Sequence, residues 1–107
     1  MASDLGELRE LAYSRCKGYC EKCGLPLRDN WALHHRKLRK HGGKDEISNV
    51  VALHHECHNL GTYSVHLRPK ASYESGLLVK SFDDPQTAPV TLPNGSRVIL
   101  SSDGEYC

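Results

Sequence analysis

The sequence predicts a small α+β fold whose core needs a staple. Three observations predict it: a helical pattern at the start of the chain, two β-branched or aromatic runs separated by a double glycine, and a shortage of apolar residues. The chain has 107 residues, of which 38% are hydrophobic, with one Trp, one Phe and one Met. That is thin for a soluble domain, and a thin core in a short chain calls for a metal, a disulfide or a partner. The length also excludes a large multidomain enzyme.

Each element has a local reason. Asp4 followed by Glu7 reads as a capping box, and Leu5, Leu8, Leu11 and Ala12 then recur at helical spacing, which predicts an amphipathic helix over 4–16. Cys20-Glu21-Lys22-Cys23-Gly24 is a tight turn that can aim two thiols at one point. Trp31-Ala32-Leu33-His34-His35 predicts a short strand, Gly42-Gly43 a turn, and Val50-Val51-Ala52-Leu53 a second strand, with a helix expected from about His55. Farther on, Gly76–Phe82 reads as a strand. Pro93-Asn94-Gly95, set between Val90-Thr91-Leu92 and Arg97-Val98-Ile99-Leu100, reads as a hairpin. No internal repeat or linker marks a boundary, but composition divides the chain into a body, 1–82, and an acidic C-terminal β extension or tail, 83–107.

Charge is divided along the same line. The net charge is only +1, yet residues 1–82 hold 13 basic and 9 acidic side chains, while residues 83–107 hold one Arg and four acids. A uniform polycation is excluded, and any basic partner surface is local. Arg36, Lys37, Arg39, Lys40 and Lys44 form the one dense basic run. No apolar stretch approaches the roughly 20 residues that cross a bilayer, and no secretory signal is visible, so the expected setting is a reducing cytoplasm with no membrane partner. There, cysteine is a metal ligand before it is a disulfide partner.

All seven histidines lie between His34 and His66. Cys20 and Cys23 can supply half of a tetrahedral Zn²⁺ site, and His54 with Cys57 repeats the same spacing, completing a structural Cys3His set. That match favours His54 over His55. The 30 residues between Cys23 and His54 exceed the spacer of a simple zinc ribbon, so something folded is enclosed between the pairs. Cys16 and Cys107 receive no role.

In this order, Cys-x-x-Cys, His34-His35, Gly42-Gly43, Asn49 and Leu53-His54-His55-Glu56-Cys57-His58-Asn59 resemble the HNH endonucleases, the ββα-metal nucleases, over about residues 20–66. The tail is also similar to those of small phage and actinobacterial members. The resemblance implies a zinc-stapled ββα-metal fold and a metal-dependent DNA endonuclease that hydrolyses phosphodiesters by a one-metal mechanism. It implies that His35 is the general base, that Asn49 orients it, and that His34 and His58 hold one catalytic divalent cation. The chemistry agrees. An ordinary imidazole, with a pKa of about 6.5, can take a proton from water near neutral pH, and an amide oxygen can fix its tautomer.

Where the family often has Asp, this chain has His34, a softer donor that favours Mn²⁺, Ni²⁺, Co²⁺ or Zn²⁺ over Mg²⁺. The family usually has Cys at the position of His54. His66, eight residues after His58, is a further candidate ligand. Adjacent side chains on a regular strand face opposite ways, so a strand end or bulge is expected near His35. The basic run 36–44 is expected to hold the DNA phosphate backbone with weak sequence specificity, any specificity coming from a partner. Trp31 reads as packing. The phage likeness implies processing or packaging proteins as partners and a monomer or weak dimer. The competing reading is a zinc-finger-like nucleic-acid-binding module without catalysis; His35 and Asn49 separate the two, since structural zinc needs neither.

Overall fold

The computed structural model describes residues 5–107. Helix α1 spans Leu5–Cys16 and buries Leu8, Ala12, Arg15 and Cys16, so of the four expected apolar positions Leu8 and Ala12 face the core while Leu5 and Leu11 are exposed. The Asp4 half of the expected capping box lies outside the described residues. The strands β1 (Ala32–His35) and β2 (Val50–Leu53) pair antiparallel, with Ala32 opposite Leu53 and His35 opposite Val50. Because α1 packs on it, β2 is buried along its whole length. Two-sided burial explains its continuous apolar run. Leu27, Trp31, Val65, Leu77, Leu78, Val90 and Leu100 complete the core. Among the described residues, no helix is long and apolar enough to cross a membrane.

The turn between the strands is built on close backbone approach. Gly43 donates to the Leu38 carbonyl at 2.9 Å, and a Cβ there would lie 1.7 Å from the Lys37 oxygen. Only glycine fits.

A polar strut ties α1 to the sheet. The Arg15 guanidinium makes a two-pronged pair with Glu21 at 2.8 and 3.0 Å and donates to the carbonyls of Ile47 and Val50. Glu21 also accepts from the Ala52 N–H and the Tyr106 hydroxyl. Every member of this buried network has a partner, the condition under which such a network holds a fold together. Burial and then the neighbouring Glu21 push the Tyr106 phenol up.

Two expectations need correction. The helix from His55 is a single wide turn, Glu56–Leu60, closed by the Gly61 N–H on the Glu56 carbonyl. The Gly76–Phe82 strand does not form. Helix α2, Pro69–Ser75, precedes it and ends at Gly76 in the left-handed region (φ 82°). The Leu77 carbonyl and Val79 N–H are then engaged singly by His34 and Arg36 instead of by a ladder. Pro at the helix start and Gly just past its end were the available signals for α2.

The C-terminal hairpin forms as β3 (Val90–Thr91) and β4 (Arg97–Val98), shorter than the runs that predict it. Residues 83–107 also place Val90 and Leu100, both 0% exposed, in the core formed by α1 and β2.

Candidate metal centres and active site

The Cys-x-x-Cys turn and the start of the helical turn bring Cys20, Cys23, His54 and Cys57 together, with all four donor atoms within 4.8 Å of one another. His54 turns Nε2 to the Pro26 carbonyl at 2.6 Å, where it can only donate, so Nδ1 keeps its lone pair facing Cys23 at 3.2 Å. His55 points elsewhere, to Asn30. Burial opposes ionisation of Cys20, yet the backbone N–H groups of Cys23, His54 and Lys22 outweigh it and draw the thiol below its ordinary value. Cys57 is pushed up by burial and then by the neighbouring Cys20 and Cys23. Three thiolates this close repel one another unless a cation sits among them. The donor set therefore fits Zn²⁺ in a closed, structural site.

His34, His58 and His66 form a second cluster, again with donor atoms within 4.8 Å. His34 comes from β1, His58 from the helical turn and His66 from the loop after it. The Nε2 atoms of His58 and His66 lie 3.1 Å apart. His34 donates Nε2–H to the Leu77 carbonyl at 2.7 Å, which leaves Nδ1 as its free donor atom. Burial, followed by the nearby imidazoles, pushes His34 down to about 3, although the Leu77 bond pulls the other way. His58 is pushed down to about 4, by burial and then by His66 and His55. Neutral rings with free lone pairs fit a divalent cation, and three ligands leave coordination positions open.

His35 is the last residue of β1, which is regular and unbulged, so the strand end is where the neighbouring rings part. The His34 ring meets His58 and His66, and His35 turns Nε2 to Asp45 at 2.7 Å. Both histidines nevertheless line one open cavity of about 510 Å³, together with Arg9, Arg39, His58 and His66. The expected partner of His35 was Asn49. Asn49 is wholly buried and instead accepts from the Lys37 N–H while donating to the carbonyls of Lys37 and Lys44, so it closes the loop that carries Asp45. The reason is geometric: its amide is saturated by backbone. Asp45 takes over the carboxylate side of His35, and its own carboxyl is held below the usual range by that ring N–H and then by Arg39. The only trace of this in the sequence is that Asp45 directly follows the basic run.

The basic run divides. Arg36 is 0% exposed, and its guanidinium donates to the carbonyls of Gly76, Ser48, Pro85, Ala88 and Pro89. It is a structural strut and not a nucleic-acid contact, because every face of the guanidinium is spent on backbone. Burial and then Arg15 pull it down to about 10, so it stays charged at neutral pH. Lys37 is half-buried and reaches the Asp83 carbonyl. Arg39, Lys40 and Lys44 are exposed. Trp31 is 7% exposed, with Arg9 stacked 3.9 Å from its ring centre, in keeping with packing. His41 belongs to neither cluster.

Comparison with curated proteins and with solved structures returned no match. The family model described as HNH endonuclease matches residues 20–63, from the first knuckle cysteine through both strands and the helical turn that carries Cys57 and His58. The four knuckle donors, His34, His35 and His58 thus fall within the stretch that the HNH endonuclease model matches, with His66 three residues beyond it.

Proposed function

We propose that this protein is a metal-dependent DNA endonuclease in which His35 is the general base. The observation that carries this reading is the juxtaposition in one cavity of the three-imidazole cluster and a histidine whose other nitrogen is already committed. With Nε2–H on Asp45, the Nδ1 lone pair of His35 is the free basic atom. Asp45 fixes the tautomer and favours the imidazolium that forms when water gives up its proton to attack phosphorus. His34, His58 and His66 would hold the catalytic cation, and Cys20, Cys23, His54 and Cys57 the structural zinc. When bound, the catalytic cation supplies Lewis-acid stabilisation of charge on the phosphate and the leaving 3′ oxygen. Arg39, Lys40 and Lys44 offer phosphate contacts that carry no sequence information, which supports weak sequence specificity.

A supercoiled-plasmid assay with Mg²⁺, Mn²⁺, Ni²⁺, Co²⁺ or Zn²⁺, and with EDTA, tests this. The wild type should cut in one or more of the transition ions and stop in EDTA. His35→Ala should lower the rate by about 10² to 10⁴ with zinc content unchanged. Undiminished cutting by His35→Ala removes the general-base assignment, and DNA binding without cutting in any ion leaves a zinc-stapled binding module.

A further inference from the structure

The segment that joins His58 to His66 leaves the three-histidine cluster and returns to it. Val65 N–H donates to the Cys57 carbonyl at 2.8 Å and His66 N–H to the His58 carbonyl at 3.2 Å. Its inner side is anchored by Ser64 and Val65, both 0% exposed, and the Gly61 N–H on Glu56 tightens the entry. The outer side is apolar: Leu60 is 69% exposed, Tyr63 72%, and Leu67, just past the return, 58%. Apolar side chains gathered on one exposed segment call for a partner more than scattered ones do.

What the segment presents is specific. The Arg68 guanidinium lies 4.6 Å from the Tyr63 ring centre, and its Nε–H donates to the Thr62 carbonyl at 3.1 Å, so ring and cation are held together. An aromatic face with a guanidinium beside it complements a nucleobase and its own phosphate. Position confines the ligand further. Tyr63 is five residues from His58, a reach of at most about 17 Å, or about five base steps at 3.4 Å. Whatever Tyr63 touches is therefore within a few nucleotides of the phosphate held at the cluster. A base paired and stacked inside a regular duplex has no free face to offer.

We propose that Tyr63, backed by Arg68, is a stacking site for an unpaired or unstacked base within a few nucleotides of the scissile phosphate, so that the preferred substrate is DNA with single-stranded character near the cut. The proposal deepens the endonuclease reading and rests on it for the position of the cut.

The test compares a matched duplex, the same duplex with a short unpaired bubble, and its single strand, each with 2-aminopurine at the bubble position. Binding is read by anisotropy and 2-aminopurine quenching of the zinc-loaded protein with no further divalent cation added, and cleavage in Mn²⁺ and Ni²⁺. Wild type should favour the bubble about tenfold over the duplex in both binding and cleavage, with quenching. Tyr63→Ala should bring both ratios close to one and abolish quenching, with zinc content and Tm unchanged at so exposed a position. Tyr63→Phe should keep the preference, because the ring and not the hydroxyl does the stacking. Equal use of bubble and duplex by wild type overturns the proposal, as does a preference that survives Tyr63→Ala or is lost in Tyr63→Phe. Bubble-selective binding without cleavage in any ion keeps the stacking site and removes the endonuclease reading instead.

Discussion

The two histidine-bearing clusters are built from similar parts to opposite ends. In each, a histidine is locked by donating its second nitrogen to a backbone carbonyl, Pro26 for His54 and Leu77 for His34. The knuckle gathers four donors from two local pairs, enough to close a coordination sphere; the three-histidine cluster gathers three from three separate segments, which leaves one open. A closed thiolate site holds the chain together, whereas an open imidazole site serves a ligand exchanged during chemistry. The difference teaches that the metal type of a site is read from its donors, but its role from how many are missing.

The largest effect should come from breaking the closed site. Cys23→Ala, or zinc removal by a strong chelator, should abolish cooperative thermal unfolding seen by circular dichroism, since a structural zinc can supply about 10 kcal/mol or more of folding free energy. His58→Ala, by contrast, should keep the zinc and the fold but lose Mn²⁺ or Ni²⁺ binding in calorimetry. If both variants unfold alike, the division of labour between the clusters is wrong.

Arg36→Met comes next. It strands five carbonyls and unties the segment 76–89 from the end of β1, so chemical denaturation should show a loss of about 3 kcal/mol or more. Of the basic run, it was the member least readable from sequence. A guanidinium that follows His35 directly looks like a phosphate ligand until the backbone of residues 76–89 is seen to surround it.

A smaller effect concerns pH. His34 and His58 have folded-state values pushed below the ordinary 6.5, so the unfolded chain binds more protons between about pH 6.5 and the folded values of about 3 and 4. Their contribution to stability is complete above pH 6.5 and is lost as pH falls through that window. Denaturation midpoints between pH 7.5 and 4.5 should fall more for the wild type than for His34→Gln, the comparison cancelling the acid sensitivity of the knuckle. Equal slopes would show that burial of the three-histidine cluster carries no such linkage. The smallest effect belongs to the exposed cations: Lys40→Ala or Lys44→Ala should each lower the slope of log K against log salt for duplex DNA by about 0.9, with no change in Tm.

Much of the site was legible because its signals are local. Knuckle pairs, double glycine and the histidines each occupy a few consecutive residues, and thiol and imidazole chemistry restricts what such runs can do. Asp45 and the true work of Asn49 were not legible. An amide can serve an imidazole or the backbone equally well, and only the path of the 36–49 loop decides which groups come within hydrogen-bond distance of it. The 76–82 run shows the same limit, since an apolar segment reads as a strand whether or not a neighbouring edge exists to pair with it.

The sequence by itself determined the element types of the first half, the tetrahedral donor set and the histidine-rich character of the chemistry, because each follows from residue identity at fixed short spacing. Only the tertiary structure decided that His66 joins His34 and His58, that Asp45 and not Asn49 holds His35, and that Arg36 serves the fold. Those choices depend on which distant backbone groups arrive beside a side chain, and a hydrogen bond or a metal ligand is made by proximity, which sequence separation does not encode.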